Sequence, residues 1–220
     1  MASTNRTLGE LVALNPAAAE VLHRYHLDFC CGGRQSLEQA CAASGLDPEV
    51  VLREAEQATT DERDDVRWAE RSIEELIRHI LDRYHAPLKQ ELPRLIELAG
   101  LVERVHAEKP DCPAGLADLL TDVREAVESH LVKEEQILFP LILSGRGRMA
   151  RMPVQVMVQE HEDHGQNLAL IRQLTRDLRL PEAACASWRE LYRSLGELEV
   201  ELMDHIHLEN NILFPRALAG

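Results

Sequence analysis

Aromatic residues are scarce in this chain, at 4 % of 220 residues, and β-branched runs are rare. No stretch alternates apolar and polar residues between hairpin turns, which argues against a sheet protein. Basic residues are outnumbered: 24 Lys and Arg stand against 38 Asp and Glu, a net charge of -14. So acidic a surface argues against nucleic acid and anionic membranes as partners. No apolar run reaches the length of a membrane span. The opening "MASTNRTLGELVALNP" lacks the apolar core and cleavage site of a signal peptide. An odd set of five cysteines, at 30, 31, 41, 112 and 185, is no secreted disulfide framework. These absences predict a soluble, reduced, cytoplasmic protein.

What remains is rich in Leu, Ala, Glu and Arg, a composition that favours helix throughout. Up to residue 58 the punctuation marks four short helices. Thr7 caps LGELVAL, Pro16 opens AAAEVLHRY, Ser36 caps LEQACAA before Gly45, and Asp47-Pro48 opens EVVLREAEQ. Between the second and third lies HLDFCCGG, residues 26–33, with two adjacent cysteines on a glycine turn. Neighbouring cysteines form a disulfide only with strain, and a zinc site prefers CxxC spacing. Residues 59–67, polar and without apolar period, read as a linker.

Residues 68–220 hold an internal repeat. SHLVKEEQILFP at 129–140 matches DHIHLENNILFP at 204–215, which pairs His130 with His205 and Glu134 with Glu209 at an offset of 75. At an offset of 76, His85 falls opposite His161. Helix limits follow from caps and prolines. Ser72 with Glu75 opens a helix to about Val105, with Pro87 or Pro93 as the place for a kink. The others span about Leu116 to Pro140, Pro153 to before Pro181, and Glu182 to near Pro215. Four long helices on short connections predict an all-α, antiparallel up-and-down four-helix bundle behind a small helical N-terminal domain.

Residues four apart share a helix face. The repeat therefore brings four imidazoles and two carboxylates to one depth: His85, His130, Glu134, His161, His205 and Glu209. Bundle cores hold paired metals in this way. Imidazole with carboxylate and no thiolate suits iron or manganese, and zinc less specifically. With both glutamates bridging, each metal has about four protein ligands of a possible six. An open position then serves small-molecule chemistry. A lone core histidine or a single surface HxxxE pair needs no metal, but a repeated set is poorly explained by packing alone. His164 is a rival to His161, favoured less by the offset. Glu160 and Asp204 flank ligands and are candidate acceptors for a ring N–H. His207 is expected in solvent.

These motifs carry a family resemblance. RYH, SHLVKEEQILFP, EHEDHG and DHIHLENNILFPRALAG resemble the ligand helices of hemerythrin-like domains. With TLGELVALNP…HLDFCCGG…LEQAC, the chain resembles the repair-of-iron-centres (RIC) di-iron proteins over nearly its whole length. The resemblance implies two non-haem iron ions, oxo- or hydroxo-bridged, on the six residues above. It implies repair of damaged iron–sulfur proteins under nitrosative or oxidative stress. Iron donation, reduction of nitric oxide to nitrous oxide, or both would serve that role. Oxygen-carrying hemerythrins use a more His-rich, less symmetric set. An oxygen or nitric oxide sensor or carrier is the alternative, and an iron store ranks last because one bundle makes no cage. The chain is expected as a monomer or homodimer, with nitric oxide as small-molecule ligand. Cys30 and Cys31 are expected to pass nitrosyl groups, electrons or iron, with thiol pKa values lowered by Arg34 and the helix start near Ser36. No flavin or nucleotide motif is visible.

Overall fold

The computed structural model describes residues 4–59 and 67–219. Most of the expected linker, residues 60–66, lies outside the described residues. The fold is all-α, and the chain divides into two compact units.

The first unit comprises Met1–Arg78, Ile142–Arg151 and Met203–Gly220. Its N-terminal part holds α1 (Leu8–Leu14), α2 (Ala18–Arg24), α3 (Leu37–Ser44) and α4 (Pro48–Gln57). Local chemistry sets each start. Thr7 with Glu10 and Ser36 with Gln39 are reciprocal capping boxes, and Asp47 caps a helix that begins on Pro48. Gly45 ends α3 in the left-handed region at φ 69°. The two capping strands meet: Leu8 N–H donates to Gln35 carbonyl at 3.0 Å and Leu37 N–H to Arg6 carbonyl at 2.9 Å. Leu8, Leu22, Phe29, Leu37 and Cys41 fill the core beneath them.

The second unit comprises His79–Leu141 and Met152–Leu202. It contains the antiparallel bundle. After α5 (Ile73–Ile80) come α6 (Ala86–His106), α7 (Leu116–Lys133), a short α8 (Phe139–Leu141), α9 (Arg151–Thr175) and α10 (Ala186–His207), with α11 (Phe214–Ala219) closing the chain. Buried positions recur at three and four: Leu88, Leu92, Leu95, Ala99 and Val102 on α6, and Leu116, Leu120, Val123, Val127 and Leu131 on α7. Each buried leucine contributes about 1.5–3 kcal/mol by leaving water.

The kink expected near Pro87 or Pro93 takes a different form. Leu81–His85 is a π-helical turn, and so are Glu134–Leu138 and Leu208–Leu213. Each ends two residues before a proline: Pro87, Pro140 and Pro215. Proline has no N–H for the carbonyl four residues back, so the α ladder is already broken there. The preceding turn widens instead, with Ala86, Phe139 and Phe214 N–H donating to the carbonyls of Leu81, Glu134 and Glu209. Three of the six candidate ligands sit in these turns, a placement typical of π-turns at functional sites.

Candidate metal centre

His85 closes the first π-turn, His130 lies near the end of α7, Glu134 opens the second π-turn, and His161 lies midway along α9. All four belong to the bundle unit, and each is at most 1 % exposed. His130, Glu134 and His161 offer ligand atoms that all lie within 4.8 Å of one another. His130 Nε2 is 3.3 Å from Glu134 Oε2, and His85 Nε2 is 3.5 Å from the same oxygen. His161 Nε2 and His130 Nε2 are 3.1 Å apart.

The far nitrogens of two rings are held by carboxylates. His85 Nδ1 pairs with Glu135 Oε1 at 2.9 Å, and His130 Nδ1 pairs with Glu160 Oε2 at 2.9 Å. Each carboxylate is in turn held by a lysine: Lys89 reaches Glu135 at 2.7 Å, and Lys133 reaches Glu160. Burial pushes both carboxyls up, but the lysine and the imidazole outweigh it, and both lie below the ordinary range. Charged acceptors on Nδ1 fix the tautomer and turn the Nε2 lone pairs inward. Carboxylate–histidine pairs do the same at metal sites.

The donor set fits a metal. Among the described residues, neither oxygen of the fully buried Glu134 has a hydrogen-bond donor. A carboxylate left so costs on the order of 3–5 kcal/mol, and a cation would remove that cost. Two ring nitrogens 3.1 Å apart match the spacing of neighbouring ligands at about 2.1 Å from one ion.

His205 and Glu209 belong to the other unit. Both are at most 1 % exposed, and His205 Nε2 lies 3.2 Å from Glu209 Oε1, as spacing on one helix face requires. His164 is buried too, but it meets the His130 ring edge-on, 5.0 Å between centroids, and His161 is the one grouped with Glu134. Of the flanking acids, Glu160 takes a ring nitrogen as expected, and Asp204 is half-buried.

His207 corrects an expectation. It is 3 % exposed, meets Phe29 edge-on at 5.8 Å, and pairs through Nδ1 with Asn211 Nδ2 at 3.1 Å. Burial pushes its pKa down to about 4, with the Phe29 backbone offsetting part of the fall. Sequence reading placed it in solvent because it has no repeat partner; it serves the turn that carries the cysteines.

In that turn Cys30 is buried and Cys31 half-buried. Their sulfurs are 3.6 Å apart, and Cys30 Sγ is 3.1 Å from Asp28 Oδ1. The expected lowering of the thiol pKa is reversed at Cys30. The Cys31 sulfur, burial and the Asp28 charge all push it well up. Sequence reading also missed Glu135, Lys89 and Lys133. The signal for Glu135 was present, since the repeat breaks there: EEQ in one half stands against ENN in the other.

Comparison with known proteins agrees with this picture. The Hemerythrin HHE cation binding domain matches residues 76–217, and a Domain of Unknown function (DUF542) matches residues 4–59. The iron-sulfur cluster repair protein YtfE of Escherichia coli O157:H7 is 46 % identical over 221 residues, covering 100 % of both chains. That of Shigella boydii serotype 4 (strain Sb227) gives the same figures, and that of Dickeya chrysanthemi (strain Ech1591) is 44 % identical over 98 % of each chain. The chain thus belongs to the hemerythrin HHE cation binding domain family, among the relatives of the iron-sulfur cluster repair protein YtfE.

Proposed function

We propose that the chain is a cytoplasmic non-haem di-iron protein that repairs iron–sulfur clusters damaged by nitrosative or oxidative stress. His205 and Glu209, with His85, His130, Glu134 and His161, would hold the two ions. The observation that carries this reading is the Glu134 carboxylate. It is fully buried and donor-less, and it faces imidazole nitrogens. The repeat supports extending the set to the second pair, and full-length similarity to cluster repair proteins supports the role.

Two ferrous ions would supply open positions for small ligands such as nitric oxide, and could themselves be donated to a damaged cluster. The chain's own residues prepare that chemistry. Glu135 and Glu160 hold the rings of His85 and His130 with Nε2 toward the Glu134 carboxylate. Lys89 and Lys133 keep those carboxylates charged. Phe139, stacked on His85 at 5.7 Å, keeps water from that face of the ring. Cys30 and Cys31 act as the thiol relay to the centre or to a client.

The test is metal content of anaerobically purified protein, beside the Glu134→Ala/Glu209→Ala variant. About two irons per chain in the parent and a clear loss in the variant are expected. Zinc alone, or undiminished iron, would overturn the ligand set. Nitrous oxide formed from nitric oxide by the reduced protein, and activity recovered by a nitric oxide-damaged iron–sulfur enzyme, then separate reduction from iron donation.

A further inference from the structure

The dicysteine turn is built more firmly than a mobile thiol arm requires. Asp28 Oδ1 accepts from Cys30 N–H at 3.1 Å and from Cys31 N–H at 2.9 Å, so one carboxylate fixes the backbone of both cysteines. From the other side, Asn211 Nδ2 donates to Phe29 carbonyl at 3.2 Å, and Asn210 Nδ2 donates to Cys30 carbonyl at 3.3 Å. The fit is close: a Cβ at Gly33 would stand 2.6 Å from both Asn211 Oδ1 and Phe29 carbonyl. A side chain there has no room, which accounts for glycine at a position without positive φ.

The result of this clamping is a fixed pair of sulfurs beside a carboxylate. We propose that Asp28, Cys30 and Cys31 form a second cation site, separate from the histidine–glutamate set, that takes a thiophilic divalent ion such as ferrous iron. The ligand atoms of the three residues all lie within 4.8 Å of one another. The spacing suits a metal: sulfurs 3.6 Å apart, each at about 2.3 Å from an ion, subtend about 103°, close to the tetrahedral angle. The same spacing is far beyond a bond between the sulfurs, and neighbouring cysteines bridge only with strain.

Three protein ligands leave a fourth position open, the mark of a site that exchanges its contents rather than one that staples a fold. That position is reachable, because Asp28 is exposed and Cys31 half-buried, while Cys30 anchors the inner side. Binding one divalent ion displaces the two thiol protons to solvent and leaves two thiolates and one carboxylate around it. With no ion bound, the Cys30 sulfur stands 3.1 Å from Asp28 Oδ1. The amides that clamp the turn are the two residues after Glu209, so the thiolate site is fixed to the helix that carries a candidate ligand. The role of this site as a way station for iron rests on the repair function proposed above; its existence as a site does not.

Cobalt(II) is the probe, because thiolate ligation gives a sulfur-to-cobalt charge-transfer absorption in the near ultraviolet that imidazole and carboxylate do not. The full-length Glu134→Ala/Glu209→Ala variant, reduced and anaerobic, is titrated with cobalt(II). One equivalent with the charge-transfer absorption is expected. Cys30→Ser/Cys31→Ser added to that variant should abolish the absorption with an unchanged circular dichroism spectrum. Asp28→Asn keeps an oxygen for the two N–H groups but loses the charge, and should weaken cobalt binding severalfold. No charge-transfer absorption, or its persistence on Cys41, Cys112 or Cys185 in the serine variant, would overturn the site. Undiminished binding by Asp28→Asn would remove the carboxylate from it. Undiminished iron in Glu134→Ala/Glu209→Ala that also carries Cys30→Ser/Cys31→Ser would break the di-iron reading, while the thiolate site stands or falls on the cobalt signal alone.

Discussion

The two halves of the repeat carry the same ligand skeleton and spend their neighbouring residues differently. In SHLVKEEQILFP, the residue after Glu134 is Glu135, which takes the ring of His85 and is held by Lys89. Lys133, just before Glu134, holds the Glu160 that takes the ring of His130. In DHIHLENNILFP the matching residues are Leu208, Asn210 and Asn211. The asparagines grip the carbonyls of Phe29 and Cys30, and His207 packs against Phe29. One half orients imidazoles with half-buried carboxylates. The other anchors the dicysteine turn with neutral amides. The two copies of the HxxxE motif thus differ in their neighbours: those of one hold histidine rings, and those of the other hold the dicysteine turn.

Exchanging those neighbours breaks the comparison most severely. Glu135→Asn/Gln136→Asn gives the first half the residues of the second. It removes the charged acceptor of His85, and iron affinity should fall about 10- to 100-fold, the usual cost of losing such a partner. Glu160→Ala should do the same through His130. A chelator-competition titration of the reloaded protein measures both. The reciprocal Asn210→Glu/Asn211→Gln should leave iron affinity within a few fold while releasing the turn, read as faster alkylation of Cys30. Equal loss of iron in both exchanges would mean that the halves do not differ in role.

A second test uses stability without metal. Glu134 is a buried carboxylate with no donor, so Glu134→Gln should raise the melting temperature of apo protein while lowering that of the iron-loaded form. Replacing buried ionic groups by neutral ones is often stabilising, on the order of 1–4 kcal/mol. Calorimetry of both forms checks the crossing. A fall in both would mean that the carboxylate is paired in the apo state.

Much of this was legible in the sequence, and what was not has physical reasons. Caps at Thr7, Ser36, Asp47 and Ser72 are local chemistry, so the helix starts follow from single residues. The HxxxE spacing needs only helix periodicity. The π-turns were hidden, because LFP reads as an ordinary helix followed by a proline, and nothing in that tripeptide marks the widened turn before it. Glu160 could be suspected from its place beside His161. Lys89 and Glu135 are 46 positions apart, and only the packed bundle brings them together. Burial of His207 was equally nonlocal, since its neighbour Phe29 comes from the opposite end of the chain.

Smaller effects test the anchoring half. Asn211→Ala removes the donor to Phe29 carbonyl and the partner of His207 Nδ1. Leaving a buried carbonyl unsatisfied costs about 1–3 kcal/mol, so urea unfolding should show a loss of that order. Gly33→Ala should cost a similar amount, because its Cβ would press on the Phe29 backbone, which cannot swing aside.

The mildest expectation concerns pH. The Cys30 thiol is pushed well above its ordinary value by Cys31, by burial and by Asp28. A group with a raised folded pKa contributes stability that is complete below the unfolded value. That stability is lost as pH climbs from there through the folded value. The parent should therefore lose stability above the ordinary thiol range more steeply than Cys30→Ser, which has nothing to ionise. Iodoacetamide labelling follows the same titration: at neutral pH Cys30 should react more slowly than an unperturbed thiol, with the rate rising only in alkali. Because the Asp28 charge is one of the causes, Asp28→Asn should shift the labelling curve of Cys30 to lower pH. Asn211→Ala, which loosens the turn without touching that charge, should speed labelling at every pH and leave the midpoint nearer its original place. If both variants moved the midpoint equally, burial alone would set the thiol, and the carboxylate would have no electrostatic hold on it.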